Sequence, residues 1–203
     1  MVERVQLSRE IIIARAHSMI VEHGLDAVSL RGVAAALGVT APALYAYVDD
    51  KLDMLRGVAE SEFERLLASF ESIEAESPLE RVRLQAHAYV RYALADPALF
   101  QMIFLFRPDF VPQPNVDELP AATRAFASGA SSVEAAMADG SLRAGDPMLV
   151  SLALWAATHG AASMLLAQLN LGPEYESQIL ATVIDNLVRG LAVPLDSSTI
   201  HES

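Results

Sequence analysis

The 203-residue sequence contains no cysteine. This absence excludes a disulfide scaffold, thiolate metal sites and cysteine catalysis. Glycine and proline, with ten of each, are too few for a fibrous or low-complexity protein. Because 53% of the residues are hydrophobic and only 20% are charged, the composition is that of a globular protein of one or two domains.

Strand patterns are nearly absent, since alternating runs of β-branched or aromatic residues do not occur. Ala, Leu, Glu and Arg dominate instead, so the sequence predicts an all-α fold. Ser8, Ser29 and Thr40 are predicted N-caps, and Gly24 and Gly38 are predicted helix ends. The patterns favour about nine helices, near residues 9–23, 30–37, 41–48, from 51 onward, 78–95, 97–106, 121–139, 147–170 and 174–192.

Positive charge is scarce, with one lysine, Lys51, and thirteen arginines against 26 acidic residues. The net charge is −12, and residues 58–203 hold −11 of it. A chain this acidic repels nucleic acid and anionic membranes at long range. Any contact with nucleic acid is therefore expected from a local patch within residues 1–57, where the net charge is only −1.

A second absence is a secretory signal, because the N-terminus lacks a basic segment followed by an apolar one. Residues 147–173 carry no charge and are long enough to span a bilayer, but Asp146 and Glu174 flank them and no basic cluster does. We therefore expect a helix buried in a bundle or a dimer interface, no membrane contact and a cytoplasmic protein.

Residues 29–51 read SLRGVAAALGVTAPALYAYVDDK, which is two short helices separated by a tight turn at Leu37-Gly38-Val39. Apolar residues are spaced so that the two helices share a small core, with Ala34 where they would cross. This pattern is typical of a helix-turn-helix, whose second helix enters the major groove of DNA. On the residues alone, a plain helical hairpin remains an alternative.

The segment at about 8–57 resembles the DNA-binding domain of the TetR family of bacterial transcriptional regulators. The resemblance rests on Gly24, the turn from Ala34 through Val39, Pro42, Leu44-Tyr45, Tyr47, and Lys51 followed by Leu55. It implies a long linking helix and a divergent helical domain that dimerises and binds an effector, which releases DNA. Residues 155–160, WAATHG, are similar to the Trp/His–Gly pattern of one class of TetR C-terminal domains.

Nine residues are the predicted DNA contacts: Ser29, Arg31, Thr40, Ala41, Pro42, Ala43, Tyr45, Tyr47 and Lys51. Backbone amides after Thr40, the hydroxyls of Tyr45 and Tyr47, and Lys51 would hold phosphates, the last by the resemblance. Arg31 would pair with a guanine, and the apolar surface at 41–43 would meet thymine methyls. The alternatives are core packing for Tyr45 and a solvated helix end for Lys51.

Four residues are the predicted effector contacts: His87, Phe104, Trp155 and His159. Trp155 and His159 lie four residues apart on one helix and therefore share a face. A pocket there would be mostly apolar and would select a hydrophobic or aromatic molecule. The alternative is that these side chains simply pack in the core.

Motifs for phosphate-binding loops, nucleophile elbows and zinc hydrolases are absent, and the histidines are not spaced as metal ligands. We therefore expect no enzyme, no cofactor and no metal. The sequence predicts a DNA-binding domain at 1–52, an effector-binding and dimerisation domain at 53–195 and a polar tail at 196–203. Its predicted function is that of a homodimeric, ligand-responsive repressor that binds operator DNA; the alternative is a helical small-molecule-binding or interaction protein without DNA binding.

Overall fold

The computed structural model describes residues 6–105, 119–167, 169 and 172–191, and the predicted all-α fold is confirmed. The described part of the chain forms nine α-helices and no β-strand. A 3₁₀ turn at Leu25–Ala27 follows the first helix, and a π-helical turn at Gln101–Leu105 continues the sixth. The helices are α1 Arg9–His23, α2 Leu30–Leu37, α3 Ala41–Leu44, α4 Lys51–Glu71, α5 Pro78–Ala95, α6 Pro97–Phe100, α7 Pro120–Ala138, α8 Pro147–Leu166 and α9 Pro173–Leu191.

Helices α1 and α2 begin and end as the sequence predicts. Ser8 Oγ accepts a hydrogen bond from the Ile11 amide at 3.4 Å, and Ser29 Oγ accepts one from the Gly32 amide at 3.1 Å. These bonds satisfy amides that have no partner inside the helix. Gly38 ends α2 in the left-handed region, with φ of +69°, where a residue without a Cβ is favoured.

The third helix is shorter than predicted. It ends at Leu44 instead of Val48, and Thr40 occupies the N-cap position without a capping hydrogen bond from its side chain. The chain turns at 45–47, where the amides of Tyr47 and Val48 both donate to the Leu44 carbonyl. This turn brings Leu44 and Val48 into the core together, with 0% and 2% of their surface exposed, and so accounts for the early end of the helix.

Two other helix ends also differ from the prediction. The helix expected at 97–106 is regular only to Phe100, and α8 ends at Leu166 instead of residue 170. The amide of Ala167 donates to Ser163 O, which completes the last turn of α8. The predicted tail at 196–203 and most of the predicted proline-rich break at 107–120 lie outside the described residues.

The described residues fall into two compact units. The first unit comprises the chain up to Ala68 together with Ala93–Ala125, and the second comprises Ser69–Tyr92 together with the chain from Phe126. The buried core of the first unit joins α1–α4 to α6 and its π-helical turn: Ile12, Ala16, Met19, Ile20, Val28, Val33, Ala34, Leu44, Val48, Met54, Leu55, Val58, Leu99 and Met102. Helix α6 therefore packs on α1 in this core, although it follows α1 by more than seventy residues.

The second unit has a core of its own. Five buried residues pack together there: Val82 of α5, Val133 and Ala136 of α7, Leu142 from the connection between α7 and α8, and Leu154 of α8. Helices α8 and α9 pack against one another. Among the described helices, α8 is the one long and apolar enough to cross a membrane, and 28% of its most apolar window is buried inside the protein.

Gly57 of α4 faces α1 so closely that a methyl group there would overlap Ile13 Cδ1 and lie 2.8 Å from Ile13 Cγ1. We expect Gly57→Ala to lower the free energy of unfolding by about 1 kcal/mol or more, because overpacking outweighs the helix-propensity gain of about 1 kcal/mol. The matched control is Gly129→Ala in α7, where no atom lies within 4 Å of the added methyl group. Urea unfolding should show this control to be stabilised by about 0.5–1 kcal/mol. Equal effects at the two positions would contradict the close packing of α1 on α4.

Candidate functional site

An ion pair ties the start of α1 to the start of α4 in the first unit. Arg9 donates to both carboxylate oxygens of Asp53, at 2.8 and 2.7 Å, and to the Tyr47 carbonyl at 2.8 Å. The same carboxylate accepts from the Asp49 amide at 3.0 Å. Asp50 Oδ1 accepts from the Asp53 amide at 2.7 Å, which caps α4. One ion pair thus bonds to the backbone on either side of Val48, at the Tyr47 carbonyl and the Asp49 amide.

Each side chain of this pair stabilises the charged form of the other. The hydrogen bond from Arg9 holds the pKa of Asp53 below its usual value, with burial opposing it. The same bond raises the pKa of Arg9. Bidentate arginine–carboxylate pairs are stronger and more directional than ordinary hydrogen bonds. The sequence did not reveal this pair, because nothing in the local pattern shows which residue of α1 would face Asp53.

The predicted DNA contacts lie on α2, α3, the following turn and the start of α4. Tyr45 and Tyr47 are exposed, with 58% and 40% of their surface accessible, so neither ring belongs to the core. Thr40 and Pro42 are also exposed, whereas Ala41 and Ala43 are half-buried on either side of Pro42. The face of α3 therefore presents small apolar groups, with two tyrosine hydroxyls immediately after them.

The remaining predicted DNA contacts are close to this face in sequence. Arg31 is exposed in the first turn of α2, two residues after the Ser29 cap. Ser29 uses an oxygen lone pair to cap the helix, so its hydroxyl hydrogen is left to donate. Lys51 is the first residue of α4 and is half-buried.

In the second unit, Trp155 and His159 of α8 meet Tyr89 of α5. The Trp155 and His159 rings lie 5.3 Å apart, and the Tyr89 Oη lies 2.8 Å from His159 Nδ1. Tyr89 is 5% exposed, whereas Trp155 is 40% exposed. Burial raises the pKa of Tyr89 and lowers that of His159, so both side chains are held in their neutral forms.

The two other predicted effector contacts are not part of this cluster of three rings. His87 is half-buried on α5 two residues before Tyr89, and residues two apart do not share a helix face. Phe104 lies in the π-helical turn of the first unit, and its side chain is outside the described residues. Tyr89 was missed as a partner of His159 because sequence spacing cannot align two helices that are distant in the chain. Across the described residues, no three histidine or acidic side chains cluster as metal ligands.

The Arg9–Asp53 pair gives a pH-dependent prediction. Since the Asp53 pKa is depressed in the folded protein, its contribution is complete above the ordinary value of about 4 and is lost as the pH falls through the folded value. We expect Asp53→Asn to lower the free energy of unfolding by about 1 kcal/mol at pH 7. Urea unfolding at pH 7, 4 and 2.5 should show this difference shrinking only below about pH 4. A difference that stays constant to pH 2.5 would rule out the ion pair as its cause.

Comparison with known proteins agrees with this geometry. Residues 12–58 match the model of bacterial regulatory proteins of the tetR family, and residues 82–187, more than half of the chain, match the tetracyclin repressor-like C-terminal domain. No curated protein matches the sequence significantly.

Solved structures share the fold over nearly the whole chain. A protein of unknown function from Rhodococcus sp. RHA1 is similar with a TM-score of 0.81 and 27% identity, over 95% of this chain and 100% of that one. A TetR/AcrR-family transcriptional regulator from Thermobifida fusca YX-ER1 has a TM-score of 0.67 and 23% identity, over 90% and 97%. RolR, solved with its ligand resorcinol, has a TM-score of 0.67 and 17% identity, over 92% and 88%.

The helix-turn-helix segment and the helical C-terminal domain are thus both matched, each by a model of the same family. The expectation of a protein that is not an enzyme is confirmed by this membership. The chain belongs to the tetR family of bacterial regulatory proteins and is a DNA-binding transcriptional regulator.

Proposed function

We propose that the protein is a homodimeric, cytoplasmic repressor that leaves its operator when a small apolar or aromatic effector binds the second unit. The observation that carries this proposal is the exposed face of α2, α3 and the turn after it. This face carries one arginine and two tyrosine hydroxyls, all exposed, next in sequence to a short helix of small apolar residues, and Lys51 follows at the start of α4. Such a surface suits DNA because cations and hydroxyls bind phosphates, and small side chains let a helix approach base edges.

The nine predicted contacts divide by chemistry into phosphate and base contacts. Lys51, Tyr45, Tyr47 and the Ser29 hydroxyl are proposed to hold phosphates, together with the amides that follow Thr40. Arg31 is proposed to read a guanine, and Ala41, Pro42 and Ala43 are proposed to pack on thymine methyls. Because the net charge of −12 per chain opposes binding, affinity should fall steeply with salt.

The proposed dimer rests on apolar surface that the chain leaves uncovered on α8. Leu149 is 63% exposed, Leu152 42% and Met164 42%, and Ala153, Ala156 and Gly160 between them are exposed as well. These residues recur every three or four positions and form one stripe without any charge. A contiguous apolar stripe of this length on a soluble protein marks an interface, and two copies related by a twofold axis would cover it.

The proposed effector site is the region of Trp155 and His159. Trp155 supplies an exposed aromatic face, and His159 supplies a polar group beside it. Pockets for small ligands combine apolar walls with a few polar contacts of this kind. RolR, which shares the fold, carries the aromatic ligand resorcinol. His87, which belongs to the same unit, remains a proposed contact of this effector.

Substitutions at Lys51 and Arg31 should separate phosphate contacts from base contacts. Lys51→Ala should weaken binding to all duplexes about equally and lower the slope of log affinity against log salt by about one, because one phosphate contact is lost. Arg31→Ala should cost about 1–3 kcal/mol and relax the preference at one position of each half-site. Fluorescence anisotropy with an operator duplex and point-mutated duplexes measures both effects.

Arg143→Ala is the matched control for this experiment, since Arg143 is an exposed arginine of the second unit. It should change neither affinity nor salt slope. If Lys51→Ala leaves the slope unchanged, Lys51 is not a phosphate contact. If the protein and its variants bind the operator duplex, the mutated duplexes and random DNA with equal affinity, the alternative of a binding protein without operator recognition is favoured.

The effector proposal predicts two linked signals, which a panel of small aromatic compounds that includes resorcinol can test. A compound that binds should quench the fluorescence of Trp155, the sole tryptophan, and release the operator duplex. His159→Ala should weaken both responses and leave DNA binding intact without ligand, because it removes only the polar contact. If His159→Ala instead abolishes DNA binding in the absence of ligand, the histidine has a structural role and the assignment fails.

A further inference from the structure

Helix α8 carries two adjoining rows of exposed side chains. The first row is the apolar stripe described above, which includes Leu149, Leu152 and Gly160. The second row begins at Met148, which is 51% exposed, and continues through Leu152 to Trp155, which is 40% exposed. Successive residues of a helix are about 100° apart around its axis, so Trp155 lies about 60° from Leu152. Leu152 therefore belongs to both rows.

The protomer covers Trp155 only in part. The ring centres of Trp155 and His159 lie 5.3 Å apart, but two fifths of the tryptophan is accessible. The exposed residues next to it on the same side of α8 are Met148 and Leu152, both apolar. A small-molecule site usually buries more than about 70% of its ligand, which needs walls on more than one side. The chain on its own therefore leaves an effector at Trp155 open on the side of the stripe.

A helix that packs on the stripe also reaches Trp155. Residues three or four apart on a helix have Cβ atoms about 5–6 Å from each other, so Leu152 and Trp155 are neighbours on the surface of α8. Two packed helices have axes about 8–10 Å apart, and each is about 10–12 Å wide with its side chains. A partner helix seated on Leu152 and Ala156 is therefore wide enough to stand opposite the accessible part of the indole.

We infer that the effector site is completed by a second copy of the chain: the α8 stripe of the partner forms the wall that faces Trp155, and a flat uncharged effector binds between them. This inference rests on the dimer and the effector site proposed above. A twofold axis relates the two copies in such a dimer, so each dimer has two equivalent sites. Because residues 147–173 carry no charge, neither α8 wall offers a counter-ion to a charged effector.

A shared site links effector binding to dimerisation. A ligand that binds the dimer more tightly than the monomer also shifts the equilibrium between them toward the dimer, because the linkage is reciprocal. The effector is then expected to release operator DNA from an intact dimer, by favouring a dimer conformation that does not fit the operator. Separation of the two protomers is not the route of release in this scheme.

The first test needs no ligand and measures how well acrylamide, a small neutral quencher, reaches Trp155, the sole tryptophan. Leu149→Glu places a charge in the stripe at a position that is 63% exposed, so the protomer tolerates this charge but a dimer would bury it. We expect the wild-type protein to sediment as a dimer and this variant as a monomer. The quenching constant should be about half as large in the wild-type dimer, because the partner covers part of the indole at the rim of the interface.

Leu94→Glu is the matched control, because Leu94 is 44% exposed on α5 and lies outside the stripe. It should remain dimeric and give the wild-type quenching constant. Equal constants for the wild-type dimer and the Leu149→Glu monomer would overturn the inference, since the partner would then not reach Trp155. Loss of nearly all quenching in the dimer would overturn it too, because no space for an effector would remain beside the indole.

The second test adds coumarin, a flat uncharged probe, and follows the single indole N–H resonance of Trp155 by NMR. Coumarin should bind the wild-type protein and Leu94→Glu about tenfold more tightly than the Leu149→Glu monomer, because one face of the probe stays in water without the partner. Coumarin should also lower the dimer dissociation constant of the wild-type protein about tenfold or more, which sedimentation across a dilution series measures.

The outcomes distinguish this inference from the proposals on which it rests. If coumarin binds the dimer and the monomer with equal affinity, the effector site stands and the shared wall is overturned. If coumarin binds neither form, the effector site proposed at Trp155 is wrong and the inference falls with it. If Leu149→Glu stays dimeric, the stripe is not the dimer interface and the inference is overturned. Should Leu149→Glu fail to fold, the wild-type dimer dissociation constant decides, and a constant that coumarin leaves unchanged overturns the inference.

Discussion

The proposed DNA-binding face depends on the burial of Leu44 and Val48. A helix of four residues forms too few internal hydrogen bonds to hold its own position. In the first unit, both ends of the segment 44–48 are inserted in the core, and the Arg9–Asp53 pair holds the carbonyl of Tyr47 between them. Tyr45 and Tyr47 are exposed because their neighbours at 44 and 48 are buried.

The same core links this face to a part of the chain far away in sequence. Leu99 of α6 and Met102 of the π-helical turn are buried among the residues of α1–α4. The polar side of α4 makes further connections within the first unit: the Ala121 amide donates to Glu60 at 2.9 Å, and Arg124 pairs with Glu64. The buried Glu62 also binds His17 of α1 at 2.9 Å. Because of these contacts, a change in the position of residues 93–125 would displace α1 and α4, which hold α3 and the turn after it.

The sequence was sufficient to predict the fold class, the order of the helices and most of their ends, because capping residues and apolar spacing are local signals. It failed at the end of α3, where the burial of Val48 decides where the helix stops. It also failed to pair Arg9 with Asp53 and Tyr89 with His159, because these contacts depend on how distant helices align. Packing of α6 on α1 was missed for the same reason. The domain boundary proposed at 52/53 remains a prediction.

The two proposed roles of the protein are assigned to parts of the chain that differ in charge and in surface chemistry. The first 57 residues are nearly neutral and carry the candidate DNA contacts, whereas the later residues hold most of the negative charge and the uncovered apolar stripe of α8. The central claim is that a dimer recognises a specific operator despite its acidity. Footprinting on the DNA upstream of the protein's own coding region, with excess unrelated DNA present, tests it most directly. The account predicts one protected site with two related half-sites, bound by two protomers. Protection of the upstream region that is no stronger than the protection of unrelated DNA would contradict it.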